Sequence, residues 1–450
     1  MHDFTKGNVT QQIVRFAVPM LIGNLFQQLY SMADAAVVGR FVSGTALAAV
    51  GISMAVLNFL LSMLIGLATG ASVLIAQFFG AGNERDLKRT VCTSLLFMCG
   101  LLVVVTVAGV VGTPFLLRLL NAPEDAFLDC VTYLRITLCG LVATLIYNVY
   151  TAYLRALGDS KNPLYFLILS ASLNVGLDLL FVAVFRMGVA GAAIATVISQ
   201  GISAVLCIWY ADRKVPLLRV RRFVFDRALL KLVLHYSIPS AIQLSITSLA
   251  SLTVQRLVNG FGTVAVAGIA AATRIDSFAT MPISSVSMAI STFIAQNMGA
   301  GQLQRAKKGL HSAMILSLCI GVGISALSFL FGKNIITLFV ATTDANAAQI
   351  ISVGVQYLTV IAASYSLFAI FFSFNGFFRG VGDAVIVMAL TITSLTLRAV
   401  LAHILVMQFG FGPEAVAYSI PVGWGLCSAF AWFYYKRNLW AGKVRALQRG

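Results

Sequence analysis

The 450-residue chain has fifteen acidic residues, and three of them fall well inside long apolar runs: Asp34, Asp178 and Asp276. A carboxylate in hydrocarbon costs about a few kcal/mol, so each of these needs a partner or a purpose. Asn174 lies four residues before Asp178, which puts both on one face of a helix. Counted from the nearest run ends at about 1.5 Å per residue, Asp34, Tyr133, Asp178 and Thr196 lie within roughly 5 Å of one depth. Two carboxylates, an amide, a hydroxyl and a phenol are thus expected in one layer of the first half. Two carboxylates so close repel each other, so the pair favours taking up a proton near neutral pH. The same oxygens, with those of Asn174 and Thr196, could instead coordinate Na+. Both readings stand at this point.

The third acid has a different neighbourhood. Arg274 is two residues before Asp276, on another face of the helix, and Arg256 or Arg398 on other helices could form a structural ion pair with it. Together with Gln255 these residues make Asp276 and Arg274 candidates for a cavity in the second half. The internal repeat described below places Val254 and Gln255 near the position of Asp34, and neither holds a charge. Ion coupling is therefore expected in the first half.

The elements that carry these residues follow from composition. The chain is 59% hydrophobic and only 10% charged, whereas a soluble domain carries about a quarter charged residues. Apolar runs bounded by glycine, proline and charge predict twelve membrane-spanning helices. They lie near 13–38, 46–78, 90–113, 127–153, 162–185, 190–211, 231–257, 264–297, 310–331, 350–378, 384–407 and 414–436. With the N-terminus inside, 23 Lys and Arg residues fall in inner segments and four (Arg40, Arg118, Arg186, Lys333) fall outside. That bias puts both termini in the cytoplasm and also accounts for the net charge of +16 without nucleic acid. The first apolar run is too long for a signal peptide and holds Asp34. The seven cysteines lie mostly in apolar runs without metal spacing and read as small core residues.

Residues 75–89, IAQFFGAGNERDLKR, return as IAQNMGAGQLQRAKK at 294–308. Phe16–Pro19 pairs with Tyr236–Pro239, and Arg155–Asp159 with Arg379–Asp383, at offsets of 219 to 224. Two six-helix halves of the same sense predict bundles related by a pseudo-two-fold along the membrane normal, with a central cleft. The halves are expected at 1–212 and 232–437, with a basic linker at 213–231 and a basic tail at 438–450. The linker reads as an amphipathic helix on the anionic inner leaflet. Pro19 and Pro239, inside spans one and seven, each remove a backbone hydrogen bond and serve as hinges or static bends.

With these residues on the page, the chain resembles the multidrug and toxic compound extrusion (MATE) transporters. The resemblance is carried by Asp34 and Gly39-Arg40 in SMADAAVVGR, by ALAAVG at 46–51, by the repeated IAQ..GAG, and by RALGD at 155–159. It covers both repeats. Arg274–Phe278 (RIDSF) and the acidic first half resemble the DinF-like bacterial branch. The resemblance implies an all-α pair of six-helix bundles that exports organic cations or drugs in exchange for H+ or Na+ across the bacterial plasma membrane. It also implies a cation or proton site at Asp34, Asn174 and Asp178, with Tyr133 and Thr196 as neighbours. No other cofactor is implied. Met54, Phe59, Met281 and Phe368 could line a drug path or simply pack.

No HExxH, CxxC, GxSxG or GxxxxGK[ST] occurs, which removes zinc hydrolysis, serine hydrolysis and ATP-driven transport from this chain. Two rivals stay open. A lipid-linked oligosaccharide or lipid II flippase of the same superfamily would favour cationic cavity residues. A membrane enzyme acting on polyprenyl phosphates would need clustered carboxylates at the surface, and the outer loops offer only scattered ones such as Glu124, Asp125 and Asp129. The partners expected are organic cations and the bilayer, without nucleic acid; a monomer is plausible, and the sequence does not fix the oligomeric state.

Overall fold

The computed structural model describes residues 2–42, 44–119, 123–220, 224–340 and 346–441. Its apolar runs are helices: α1 Val9–Phe41, α2 Gly44–Gly80, α3 Glu84–Leu119, α4 Glu124–Cys139, α5 Leu141–Ala156, α6 Lys161–Asp178 and α7 Gly188–Lys214. The second half repeats the series as α8 Arg227–Asn259, α9 Thr263–Gly299, α10 Leu303–Thr337, α11 Ala347–Ala363, α12 Tyr365–Val381, α13 Ala384–Met407 and α14 Glu414–Lys436.

Helix α3 shows how local sequence defines such an element. Asn83 and Asp86 close its first turn by reciprocal bonds, Asp86 N–H to Asn83 Oδ1 (3.2 Å) and Asn83 Nδ2 to Asp86 Oδ2 (2.8 Å). Those bonds satisfy donors that a helix start leaves open. Farther along, Val103, Val104, Val107 and Val111 stand exposed on one stripe. A stripe of valine open on a helix this apolar is a lipid-facing surface.

Nine helices are long and apolar enough to cross a bilayer, and two bent pairs bring the number to eleven among the described residues. The twelfth span is α1. Its 33 residues reach far enough, but Asn24, Gln27 and Gln28 in its middle dilute its apolar character. The chain is an all-α, multi-pass membrane protein.

Two spans expected to be continuous are broken. Helices α4 and α5 meet at 48°, and α11 and α12 meet at 51°. The breaks fall at Gly140 and Ser364, which are 224 residues apart and share nearly the same backbone angles (φ −81°, ψ −4° and φ −98°, ψ −5°). A Cβ on Gly140 would stand 2.2 Å from Val197 Cγ2, so glycine at this bend lets α7 pass close by. Apolar periodicity carries across such a bend unchanged, which is why the sequence reads each as one helix.

The described residues form two compact units. Unit one comprises residues 2–3 and Pro19–Ala241, and unit two comprises Phe4–Val18 and the chain from Ile242 onward. The changes of unit fall at Pro19 and two residues after Pro239, not within 213–231. In unit two, buried Phe4 packs edge-on against Phe16 (5.1 Å between centroids), and its carbonyl accepts from Arg305 Nε (2.9 Å) and Asn297 Nδ2 (3.2 Å). In unit one, Gly66 and Gly70 lie one turn apart on α2, and a Cβ on either would meet the backbone of Ala241 or Ser237 at 2.4 or 2.3 Å. This is the small-residue helix contact that membrane interiors favour.

The linker is not the expected amphipathic helix in its described part. Residues 215–218 turn, and 219–220 and 224–226 are irregular. Hydrogen bonds to α3 hold it there, with Val224 N–H on Cys92 Sγ (3.1 Å) and Asp226 N–H on Thr93 Oγ1 (3.1 Å). Arg89 lies 3.7 Å from Asp226. Pro216 and the side-chain acceptors of α3 compete with helical bonding here. Arg221 and Arg222, and the tail from 442, lie outside the described residues.

Candidate functional site

Unit one gathers the expected polar layer from four helices. Asp34 of α1, Tyr133 of α4, and Asn174 and Asp178 of α6 are buried, and Thr196 of α7 is half-buried. Gly23 of α1 packs on α6, with Leu164 and Leu167 at ordinary contact distance, 3.6 Å from where its Cβ would be. That packing brings Asp34 near Asp178, so that the two buried carboxyl groups interact directly.

The Asn174 amide organises the rest. With Nδ2 toward Asp178 it donates to Oδ2 (2.7 Å), and its carbonyl accepts from the Thr196 N–H (3.1 Å). The opposite orientation leaves a 3.4 Å contact with Thr196 Oγ1, so the first is the better bonded. Thr196 Oγ1 also donates to Ala192 O (3.0 Å), which fixes its rotamer. Three buried oxygens of the layer remain without a partner: Asp34 Oδ1, Asp178 Oδ1 and Tyr133 Oη. Orphaned buried oxygens are rare in folded proteins and call for an explanation.

Sequence reasoning missed two features here. Tyr30, one turn before Asp34, reaches Thr196 with its hydroxyl; the i, i+4 spacing from Asp34 was the available signal. The second is backbone. Directly after Asp178 the helix widens into a π-helical turn, Leu179–Val184, with Phe185 N–H bonded to Leu180 O (2.9 Å). Such turns occur often at functional sites, and no residue in LLFVAV announces one.

In unit two the predicted residues do not form one cluster. Gln255 is exposed and donates to Asn259 Oδ1 on its own helix (2.9 Å), and Arg274 is also exposed. Asp276 faces Tyr365 and Arg398 instead. No Lys or Arg nitrogen comes within 4.0 Å of it among the described residues, so the expected close ion pair is not formed. Pro19 and Pro239 lie inside α1 and α8.

The RALGD motif and its repeat are structural corners. Gly158 and Gly382 end α5 and α12 with positive φ (82° and 96°), a conformation that favours glycine. The aspartates that follow are buried. Asp159 Oδ2 accepts from Tyr210 Oη (3.0 Å), and Asp383 Oδ2 accepts from Tyr434 Oη (2.7 Å). All three residue pairs (Gly158/Gly382, Asp159/Asp383 and Tyr210/Tyr434) are 224 positions apart.

Comparison with known proteins agrees with this architecture. The MatE family model matches the chain twice, over residues 19–180 and 239–404, once in each half. The chain is 30% identical over 443 residues to the probable multidrug resistance protein YpnP of Bacillus subtilis, covering 98% of this chain and 97% of that one. It is 33% identical over 373 residues to the probable multidrug resistance protein YoeA of the same organism, covering 81% and 80%. Among solved structures, an outward-facing conformation of a multidrug resistance MATE family transporter superposes with a TM-score of 0.90 at 24% identity, covering 99% of this chain and 98% of that one. With twelve spans, an internal repeat and a family match in each half, the chain belongs to the MATE (MatE) family of multidrug efflux transporters.

Proposed function

We propose that this protein is a secondary antiporter that exports organic cations in exchange for H+ or Na+, coupled through the carboxylate layer of unit one. The observation that carries the reading is the meeting of Asp34 and Asp178, braced by Asn174 and Thr196, with three orphaned oxygens around them. A proton held between the carboxyl groups, or a sodium ion on the same oxygens, neutralises the layer; its loss leaves two like charges facing each other in a medium that screens them poorly. That difference biases α1 between two positions, and Pro19 and Pro239 are the hinges, because the chain changes unit beside each. The inner bias of Lys and Arg supports cytoplasmic termini in a bacterial plasma membrane.

Purified protein in liposomes loaded with ethidium tests this under an imposed proton gradient and then a sodium gradient. Efflux driven by one gradient in the wild type and lost in Asp34→Asn is the expected result, and it names the ion. Efflux that persists in an Asp34→Asn, Asp178→Asn double variant overturns the coupling site. Immobile ethidium under both gradients overturns cation export.

A further inference from the structure

The offset that aligns the two structural corners also aligns the mid-span residues, and there the two units differ in charge. Adding 224 to Tyr133 gives Tyr357, and adding 224 to Asn174 gives Arg398. Helix α13 therefore carries a guanidinium where α6 carries the amide that organises the carboxylate layer. The equivalent of Asp178 is Ala402, and the acid of unit two comes from α9 as Asp276.

These residues converge within unit two. Arg398 lies near both Asp276 and Tyr357, and Asp276 lies against Tyr365. Tyr357 and Tyr365 are buried. A Cβ on Gly423 of α14 would come within 3.1 Å of Arg398 Cγ, so α14 leaves room for the arginine stem. Tyr365 is the first residue of α12, at the 51° break from α11. By helical rise, Asp276 is roughly 20 Å and Arg398 roughly 14 Å from the outer ends of their helices, close to mid-bilayer. Broken helices at that depth are where secondary transporters bind their cargo.

The bonding is incomplete. Arg398 Nε is buried without a hydrogen-bond partner, and the nearby carboxyl of Asp276 interacts with Tyr365 instead. A lone arginine in the bilayer is costly, and Asp276 offsets its charge from more than 4.0 Å away without capturing its donors. A buried guanidinium Nε without a partner, on a planar head near a tyrosine hydroxyl, matches the planar acceptors of a carboxylate or phosphate.

We infer that unit two holds a second binding site, in which Arg398 receives the acidic group of an amphiphilic substrate and Asp276 competes with that group for the guanidinium. The transporter then takes zwitterionic compounds as well as simple cations. This rests on the export reading above, but it makes a separate demand on affinity.

Two dyes that differ only at one carboxyl test it: rhodamine 110, with a free carboxylate, and its methyl ester, rhodamine 123. Equilibrium binding to the full-length protein in phosphatidylcholine nanodiscs needs no gradient and keeps anionic lipid away from the arginine. The expected result is that Arg398→Gln shifts the rhodamine 110 to rhodamine 123 Kd ratio by about tenfold or more against the acid. Arg398→Lys recovers part of that shift, and Asp276→Asn moves the ratio in the opposite direction. An unshifted ratio in Arg398→Gln protein that keeps its Tm overturns the site. If that variant does not fold, an unshifted ratio in Asp276→Asn overturns it. Binding of rhodamine 123 without rhodamine 110 defeats this inference alone, whereas binding of neither dye defeats the export reading as well.

Discussion

The two units keep the same corners and change the same interior. At the ends of α5 and α12, a left-handed glycine leads into an aspartate held by a tyrosine from the last helix of its unit, Asp159 with Tyr210 and Asp383 with Tyr434. In mid-span, both units retain a buried tyrosine, Tyr133 or Tyr357, before a broken helix. The residue beside it differs: Asn174 next to two carboxyl groups in unit one, Arg398 with a single carboxyl in unit two. The corners are geometric necessities of a chain that must turn at the membrane surface. The interior charges are not, since every one of them costs stability in hydrocarbon. The difference separates what the repeat needs in order to fold from what each copy does.

The largest effect expected from breaking this comparison is at the carboxylates. Asp178→Asn should reduce gradient-driven ethidium efflux to the background of protein-free liposomes, while the same change at Asp276 leaves gradient coupling in place; parallel flux assays on the two variants check this. Next in size is a packing change. Gly70→Val places a side chain into the Ser237 backbone, at a site where a Cβ alone would be 2.3 Å away, and should cost about 1–3 kcal/mol, read as a lower Tm in detergent. The corners provide a matched pair of smaller size. Tyr210→Phe and Tyr434→Phe each remove one hydrogen bond to a buried aspartate and should each cost about 1–3 kcal/mol, the larger loss falling at Tyr210, whose hydroxyl also accepts from Asn162 Nδ2 (2.8 Å), with ethidium efflux retained at the protein amount recovered. A smaller loss at Tyr210 than at Tyr434 in chemical denaturation would mean that the Asn162 bond adds nothing to its corner. The smallest effect is expected at Tyr30→Phe, which loses a single hydroxyl contact with Thr196. It should shift the ion concentration for half-maximal efflux by about a fewfold without abolishing transport.

The in-membrane acids could be recognised from the sequence because charge in a long apolar run is conspicuous, and helical rise alone placed Asp34, Tyr133, Asp178 and Thr196 at one depth. The repeat was legible for a similar reason: IAQ..GAG and RALGD carry turn residues whose types are constrained by backbone angle. Less visible were features in which apolar residues do unusual things. The π-helical turn after Asp178 has an ordinary apolar sequence, and the break at Ser364 has no glycine or proline to mark it. The linker was misread because basic and apolar residues alternate there as they would on an amphipathic helix, while its hydrogen-bond partners lie on α3, more than a hundred residues away.

By itself, then, the sequence determined that this is a twelve-span, twice-repeated membrane transporter with acids buried in its first half. Span length, the cost of buried charge and the repeat offset are all local or one-dimensional quantities. Only the tertiary structure decided which acids meet. Asp34 lies near Asp178 where α1 packs on α6, and Asp276 faces Arg398 of α13 rather than Arg256 of α8. Depth along a helix can be counted from residue numbers, but rotation about its axis and the choice of neighbouring helix arise from side-chain packing between distant segments.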